Sequence, residues 1–520
     1  MRFLLDTNIL IPLENSQIVL GDSLARFVRL AQENGHQLVY HPASEDDISR
    51  DKDLVRRQRT MERLGQYIRI QDRLPCPWNT PQTNPNDSAD NEILYALSCA
   101  AAHALVTEDR GIHDKARARD LVKNVLTIQT ACDWLRRLHE TKGVTLPNIE
   151  DKELSFLTPY LPAEFFDSLR AAYPGFNNWF LEKARHGKHA WVAFETPGRI
   201  GALCVYDRQT NERITEGGLA LPGHALKLCT FKVAESVRGQ KIGELFLKAA
   251  FRYASANQLE NIFIHGDVDQ HHLLFEMLES FGFENVGAHP GSNSRDAVYL
   301  KKHPVAPPAE ALPPFDYVRK YFPHFRSEPA IGKYVIPIQP HFHQILFPDY
   351  DSPDSRQLRF PSFKPSNTAG NAIKLAYLCH AQTKLINPGD ILLFYRSGDE
   401  HAITSVGVAE QYTTLNNPDD IAALVKRRTV YSMTEISRIA QKPTRVLLFR
   451  LVRHLDSPRG HARLKPNRIR TGAPQSIPRH SVGASKRAKL VRSLRNIRTS
   501  VQNFQSTTAT PACIAESAAS

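Results

Sequence analysis

Four carboxylates near the start of the chain stand where a strand-like run gives way to a helix or loop. Asp6 closes Phe3-Leu4-Leu5, and Asp47 follows the run ending at His41-Pro42. Asp90 opens Asp90-Asn91-Glu92-Ile93-Leu94, and Asp109 follows Ala104–Thr107. Phe3–Leu5, Leu38–His41 and Ala104–Thr107 read as strands, and Asn91–Ala102 has helical apolar spacing. Alternation of this kind folds as a parallel α/β sheet. The C-terminal ends of parallel strands share one edge, so acids far apart in sequence could meet there. Convergent carboxylates suit hard cations such as Mg²⁺ or Mn²⁺, which acidify a bound water and stabilise charge on a scissile phosphate. Each acid also has a plainer reading. Ser44 could cap a helix with Asp47 at its third position, Asn86 or Asp87 could cap the next, and first-turn acids are favoured by the helix dipole.

Taken together, Leu5-Asp6-Thr7-Asn8, the strand-Pro42…Asp47 step, Asp90-x-x-Ile-Leu-x-Ala and Val106-Thr107-Glu108-Asp109 resemble the PIN domain, a family of metal-dependent ribonucleases. The resemblance covers residues 1–140. It implies Asp6, Asp47, Asp90 and Asp109 as catalytic metal ligands for Mg²⁺ or Mn²⁺, with Asn8 and Thr107 in support. The second ligand stays open among Glu45, Asp46 and Asp47, and Asp87 and Glu92 flank the third. It also implies a homodimer and leaves room for an inhibitory partner protein.

The net charge of +12 is unevenly spread. From Ser457 on there are twelve Lys and Arg against Glu516 alone, which leaves the preceding 456 residues near +1. A nucleic-acid argument from charge therefore applies to residues 456–520, a basic tail, and not to the body. No apolar run approaches the ~20 residues of a membrane helix. Asp6 and Asn8 interrupt the N-terminal run as a signal peptide would not. Seven scattered cysteines without a Cys-x-x-Cys argue against a disulfide framework or zinc site. The expectation is a cytoplasmic protein without a membrane partner.

A segment around Pro147–Pro162 separates the first unit from a second, residues 163–302. Trp191–Phe194, Ile200–Tyr206, Leu226–Val233 and Ile262–His265 read as strands there, with helices at 243–256 and 271–281. The strand ending at Val233 runs into Arg238-Gly239-Gln240-Lys241-Ile242-Gly243 and then a helix, which is the layout of a phosphate cradle. With Glu279-Ser-Phe-Gly282-Phe283 downstream, 163–302 resembles a GNAT-type acetyltransferase. The resemblance implies an acetyl-CoA pyrophosphate loop at Val233 and Arg238 to Gly243, with Lys241 where the family has its first glycine. The tyrosine that often protonates the departing thiolate falls at Leu278. His271, His272 or Tyr253 could replace it.

Five prolines in His303–Asp316 mark a stiff linker, 303–316. Beyond it, Tyr334–Phe347, Asp390–Tyr395, Ile403–Ala409 and Arg445–Leu451 read as strands around helices near 371–382 and 418–427. Lys333–Phe347, Pro388–Ser397 and Ile403–Ala409 resemble ASCH-type, PUA-like barrels over 330–455. That resemblance implies an RNA cleft with Lys374, Tyr395, Arg396 and Ser397, a cation and an aromatic for phosphate and base. His341 and His343 share a face if that stretch is a strand. In the tail, Lys486–Val501 could form a basic helix, and Gly472–Ile477 could return to the barrel.

The expected architecture is α/β and multidomain: a PIN-like parallel sheet, a GNAT-like domain, a PUA-like (ASCH) barrel and a basic tail. The expected function is metal-dependent RNA cleavage coupled to an acetyl-CoA-binding module, toxin-like or RNA-processing, on tRNA, rRNA or mRNA. Two alternatives remain. One is an N-acetyltransferase acting on an RNA- or protein-linked amine with the PIN unit as scaffold; the other is a non-catalytic RNA-binding regulator.

Overall fold

The computed structural model describes residues 1–14, 22–78, 87–140, 149–291, 296–350, 372–381, 383, 386–460 and 470–471. The chain divides into two compact units: Met1–Gly143 with Thr414–Thr444, and Val144–Thr413 with Arg445–Ser520.

In the first unit, β1 (Arg2–Leu5), β2 (Gln37–Tyr40), β3 (Ile68–Arg69), β4 (Ala104–Val106) and β5 (Val125–Leu126) make one sheet. Their order is β3-β2-β1-β4-β5 and every neighbouring pair is parallel. Phe3, Leu4 and Leu5 are wholly buried because β1 is central and covered on both faces, so its apolar run does not alternate. Phe3 meets Phe27 and Trp134 edge-on on one face. Leu4 packs with Ile93 and Leu94 of the Asp87–Ser98 helix on the other. The 414–444 excursion adds two helices to this unit, Pro418–Val425 and Met433–Ile439. Asn417 caps the first, and a Ser432–Glu435 capping box starts the second. Between them the Lys426 ammonium lies over the Trp134 ring, 5.8 Å from its centroid.

The second unit contains two sheets. The larger runs β11-β12-β10-β9-β8-β7-β6. Its strands are β6 (Glu150–Glu153), β7 (His189–Thr196), β8 (Arg199–Thr210), β9 (His224–Val233), β10 (Asn261–Asp267), β11 (Glu284–Ala288) and β12 (Asp296–Lys302). All of its pairs are antiparallel except β9 with β10. The helices Ile242–Ala256 and His272–Glu279 cover one face through Phe246 and Phe275 against Leu226, Leu228, Ile262 and Ile264. Phe166, Phe176 and Phe180 cover Val192 and Leu203 on the other. Strand β6 brings residues 150–153 into this sheet, so the described part of the expected separator is domain, not spacer.

The smaller sheet runs β14-β17-β16-β15-β13-β18. It comprises β13 (Lys333–Ile338), β14 (Lys374–Cys379), β15 (Ile391–Arg396), β16 (Ala402–Leu415), β17 (Thr444–Gly460) and β18 (Arg470–Thr471). Among the described residues it is an open sheet with β14 and β18 at its edges, so the expected barrel is not closed. Two further expectations are corrected. The run Tyr334–Phe347 is strand only to Ile338; Pro340 then starts the helix Pro340–Leu346, because proline lacks the N–H a strand needs and fits the first helical position. Residues 374–379 form a strand where a helix was expected, since a run buried on both faces shows no period. The proline-rich segment is pinned to its surroundings: His303 stacks on Phe251, and Tyr317 donates to the Pro308 carbonyl at 2.9 Å. The basic helix at 486–501 and the return strand at 472–477 lie outside the described residues. No helix among the described residues is long and apolar enough to cross a membrane.

Candidate functional site

From β1 the chain builds the sheet outward to β2 and β3 on one side, while β4 and β5 lie on the other. The order therefore reverses between β1 and β4, where open α/β sheets form crevices at the carboxyl ends of their strands. Asp6 and Thr107 meet there. The Asp6 N–H donates to the Val106 carbonyl at 3.1 Å, and its carboxylate accepts from the Thr107 hydroxyl at 2.6 Å and the Thr7 N–H at 2.8 Å. The Thr107 hydroxyl in turn accepts from the Asn8 amide at 3.1 Å and the Asp109 N–H at 2.9 Å. Burial pushes the Asp6 carboxyl up to about 7, against the pull of these donors, with the charges of Asp90 and Asp109 adding to the rise. Three of the four expected acids thus lie within electrostatic range of one another.

Asp47 does not join them. His41 caps the Pro42–Ser49 helix, its ring accepting from the Ala43 N–H, which displaces Ser44 from the capping role. Asp47 is then turned to Arg50, 3.1 Å away. Its two neighbours are also engaged, Glu45 with Arg69 at 2.7 Å and Asp46 with Arg73 at 2.7 Å. Glu92 shares Arg73 at 2.5 Å. The Lys115 ammonium is 2.7 Å from both Asp87 and Asp90. Asp109 caps its own helix by accepting from the Ile112 N–H at 3.2 Å. Among the described residues no group of three or more His, Cys, Asp or Glu side chains is arranged to hold a metal ion. The expected Mg²⁺ or Mn²⁺ set is not assembled as a donor cluster here: Asp47 is paired with Arg50, and Asp90 is held by Lys115 together with Asp87.

The second candidate is a cleft in the larger sheet. Pairing of β10 with β9 runs only from Asn261 to Ile264, against Ala225 to Leu228. Strand β9 continues along β8 to Val233 and β10 along β12 to Asp267, so the two part at Leu228 and Ile264. The glycine-bearing turn follows β9. Gly239 has φ +82° and Lys241 φ 56°, and the helix starts at Ile242. Its first N–H groups and the exposed Arg238 favour an anion there. Lys241 does not add its charge to that position. Its ammonium donates to the Lys374 carbonyl at 2.7 Å, within 3.9 Å of Glu244. A non-glycine residue in the left-handed region costs ~1 kcal/mol, which this buried bond helps to offset. Ile242 is buried, and a Cβ on Gly243 would press the Met277 sulfur at 3.0 Å, so Gly243 answers a packing need.

Leu278 is wholly buried and can supply no proton. Tyr253 leans on the stacked Trp191–Tyr206 pair. Burial lowers His271, which lies within electrostatic range of Asp267, Asp296 and Arg238. Beside it is a group that sequence reading did not single out as functional. His265 is the first β10 residue past the parting. Its Nδ1 is 3.1 Å from an Asp296 oxygen, and its ring stacks on His289 at 3.7 Å between centroids. These residues are 24 and 31 positions away, joined by the β11–β12 hairpin, so no local spacing could signal them.

On the smaller sheet, Lys374 on β14 and Tyr395, Arg396 and Ser397 at the end of β15 are separated by two intervening strands. Lys374 donates to the Ser280 hydroxyl and lies over Phe281. Arg396 is buried on Asp399, at 2.5 Å, and Ser397 donates to the Ile338 carbonyl. These cations serve intramolecular bonds and do not line one cleft together. His343 is buried against the Thr404 hydroxyl at 2.7 Å, on a helix and not on a strand face with His341.

Residues 150–283 match the model of the acetyltransferase (GNAT) family. The segment that holds the parted strands is thus a GNAT acetyltransferase domain. The chain is similar to a solved acetyltransferase of that family from Desulfovibrio desulfuricans, at 14% identity and a TM-score of 0.22, over 30% of this chain and 98% of that one. It is also similar to the Escherichia coli GNAT family N-acetyltransferase YhbS in complex with CoA, at 14% identity and TM-score 0.22, over 31% and 85%. A third is an Elizabethkingia anophelis GNAT family acetyltransferase with acetyl-CoA bound, at 13% identity and TM-score 0.19, over 24% and 82%. No curated protein matches the chain.

Proposed function

We propose that this protein transfers the acetyl group of acetyl-CoA to an amine in the cleft between β9 and β10. The observation that carries the reading is the parting of the strands at Leu228 and Ile264, with an anion-favouring helix start immediately downstream of β9. Arg238 and the N–H groups at the start of the Ile242–Ala256 helix would hold the pyrophosphate. The β9 edge beyond Leu228 would accompany the pantetheine arm. Acetyl-CoA supplies an activated acyl group; the protein's part is to orient it, to exclude water and to handle the amine's proton. The test is calorimetric titration with acetyl-CoA, followed by detection of released CoA thiol with amines present. Binding that Arg238→Glu weakens supports the reading, and no binding rejects it.

A second reading rests on Asp6, Asp90 and Asp109 lying within electrostatic range of one another near the switch point. It is the RNA-directed one, a cytoplasmic ribonuclease whose RNA is held by the smaller sheet and the basic tail. It requires Lys115 to leave the acid pair before a cation can enter. Total RNA incubated with Mn²⁺, with and without EDTA, decides it. Discrete EDTA-sensitive fragments support cleavage, and intact RNA leaves the first unit as a scaffold.

A further inference from the structure

We infer that His265, held by Asp296, is the general base that accepts the acceptor amine's proton, an assignment that rests on the acetyltransferase reading. The two side chains come from neighbouring strands, with His265 opposite Val298 and Asp296 two residues along the same strand. An ionised carboxylate only accepts hydrogen bonds, so the His265 Nδ1 carries the proton and donates it to Asp296 at 3.1 Å. The Nε2 lone pair is then available. His289 fixes the ring plane by stacking, and its own N–H donates to the Asp296 carbonyl at 2.8 Å. The His265 side chain keeps 22% exposure, so the dyad is sheltered yet reachable.

Its position suits the chemistry. His265 follows Ile264, the last β10 residue paired to β9, so it stands at the mouth of the cleft. Alternation puts it on the face of Phe263, opposite the face where Ile264 meets the Ile242–Ala256 helix. The amine would approach from that face. Burial keeps the imidazole neutral, pushing it down to about 4; Lys227 on β9 and His289 after β11 lower it further, while Asp296 on β12 opposes them. The imidazole therefore enters the step unprotonated and able to accept, though as a weaker base than one poised near 7.

An amine N–H proton passes to His265 Nε2 as the nitrogen bonds to the thioester carbonyl carbon. The C–S bond breaks with its electron pair on sulfur, and the imidazolium returns the proton to give CoA thiol. Asp296 acts throughout as a positioning residue.

The test compares wild type, His265→Gln and Asp296→Asn. It uses spermidine as acceptor, because Asp267 and Asp296 beside the site suit a polyamine whose non-reacting nitrogens are cationic while the attacking one is neutral, and acetyl-CoA hydrolysis without acceptor as a second rate. Acetyl-CoA affinity is measured by calorimetry, and histidine tautomers by long-range proton–nitrogen NMR. We expect His265→Gln to lower both rates about a hundredfold or more, with acetyl-CoA affinity within twofold of wild type. We expect Asp296→Asn to shift the His265 tautomer away from Nδ1–H. Wild-type rates in His265→Gln overturn the base assignment, as does a wild type that binds acetyl-CoA but releases no thiol by either route. An unchanged tautomer in Asp296→Asn overturns the positioning role. Failure of the wild type to bind acetyl-CoA rejects the acetyltransferase reading itself, and the assignment falls with it.

Discussion

The Lys115 ammonium lies 2.7 Å from the Asp90 carboxylate and the same distance from Asp87, so one lysine serves two acids at the mouth of the switch-point crevice. Lys115→Gln removes that charge and leaves the two carboxylates facing each other. We expect a loss of about 1–2 kcal/mol in urea denaturation, between the values for exposed and for buried pairs. Millimolar Mg²⁺ should restore part of it in the variant and nothing in wild type. Unchanged stability in the variant would show that the lysine is not what quiets this acid pair.

Lys301 gives a pH signature. It is wholly buried, donates to the Lys320 carbonyl at 2.7 Å, and burial pushes its ammonium down to about 7. The unfolded chain protonates this lysine below its ordinary value near 10.4 while the folded one stays neutral until about 7. Between those values the unfolded state binds the extra proton, so this group makes stability rise with pH. Denaturation of wild type at pH 7 and 9.5 should show that rise, and Lys301→Met should flatten it. A slope unaltered in the variant would assign the dependence to other groups.

Gly282 ends the turn after the His272–Glu279 helix with φ +82°, and a Cβ there would run into the Arg319 carbonyl. Both the backbone conformation and the close approach exclude a side chain. Gly282→Ala should therefore lower the melting temperature by several degrees, corresponding to more than about 1 kcal/mol. Calorimetric scanning measures it directly.

The two cations of the glycine-bearing turn should behave differently. Lys241→Gly removes a strained residue whose ammonium serves the Lys374 carbonyl, so acetyl-CoA affinity should stay within about twofold. Arg238→Ala should weaken it about tenfold, the scale of one charge-assisted hydrogen bond. Titration of both variants separates the roles; equal losses would put the Lys241 ammonium on the phosphate after all.

Legibility in the sequence followed period and locality. Strands β1, β4, β8 and β9 were readable because apolar runs bounded by polar residues leave little choice at that length. The cradle Arg238–Gly243 was readable because its chemistry is contiguous. Strand β14 reads as helix in the sequence because Leu375–Leu378 is buried on both faces and carries no alternation. The acids were half legible. Asp6, Asp90 and Asp109 come within electrostatic range because parallel strand ends share an edge, but no spacing foretells that Lys115, one helix later, reaches across to Asp90. The His265–Asp296 dyad was invisible for the same reason, being assembled by a hairpin from positions 31 residues apart.

The excursion Thr414–Thr444 leaves the second unit and returns to it, with two helices belonging to the first in between. The chain therefore passes between the units three times, near residues 143, 413 and 444. A single proteolytic nick near residue 143 releases Met1–Gly143 covalently but leaves Thr414–Thr444, the rest of its unit, in the other fragment. Expression of residues 1–140 alone would also strip Trp134 of its Lys426 neighbour. No single cut separates the two units, because the first is built from two segments that lie on either side of Val144–Thr413.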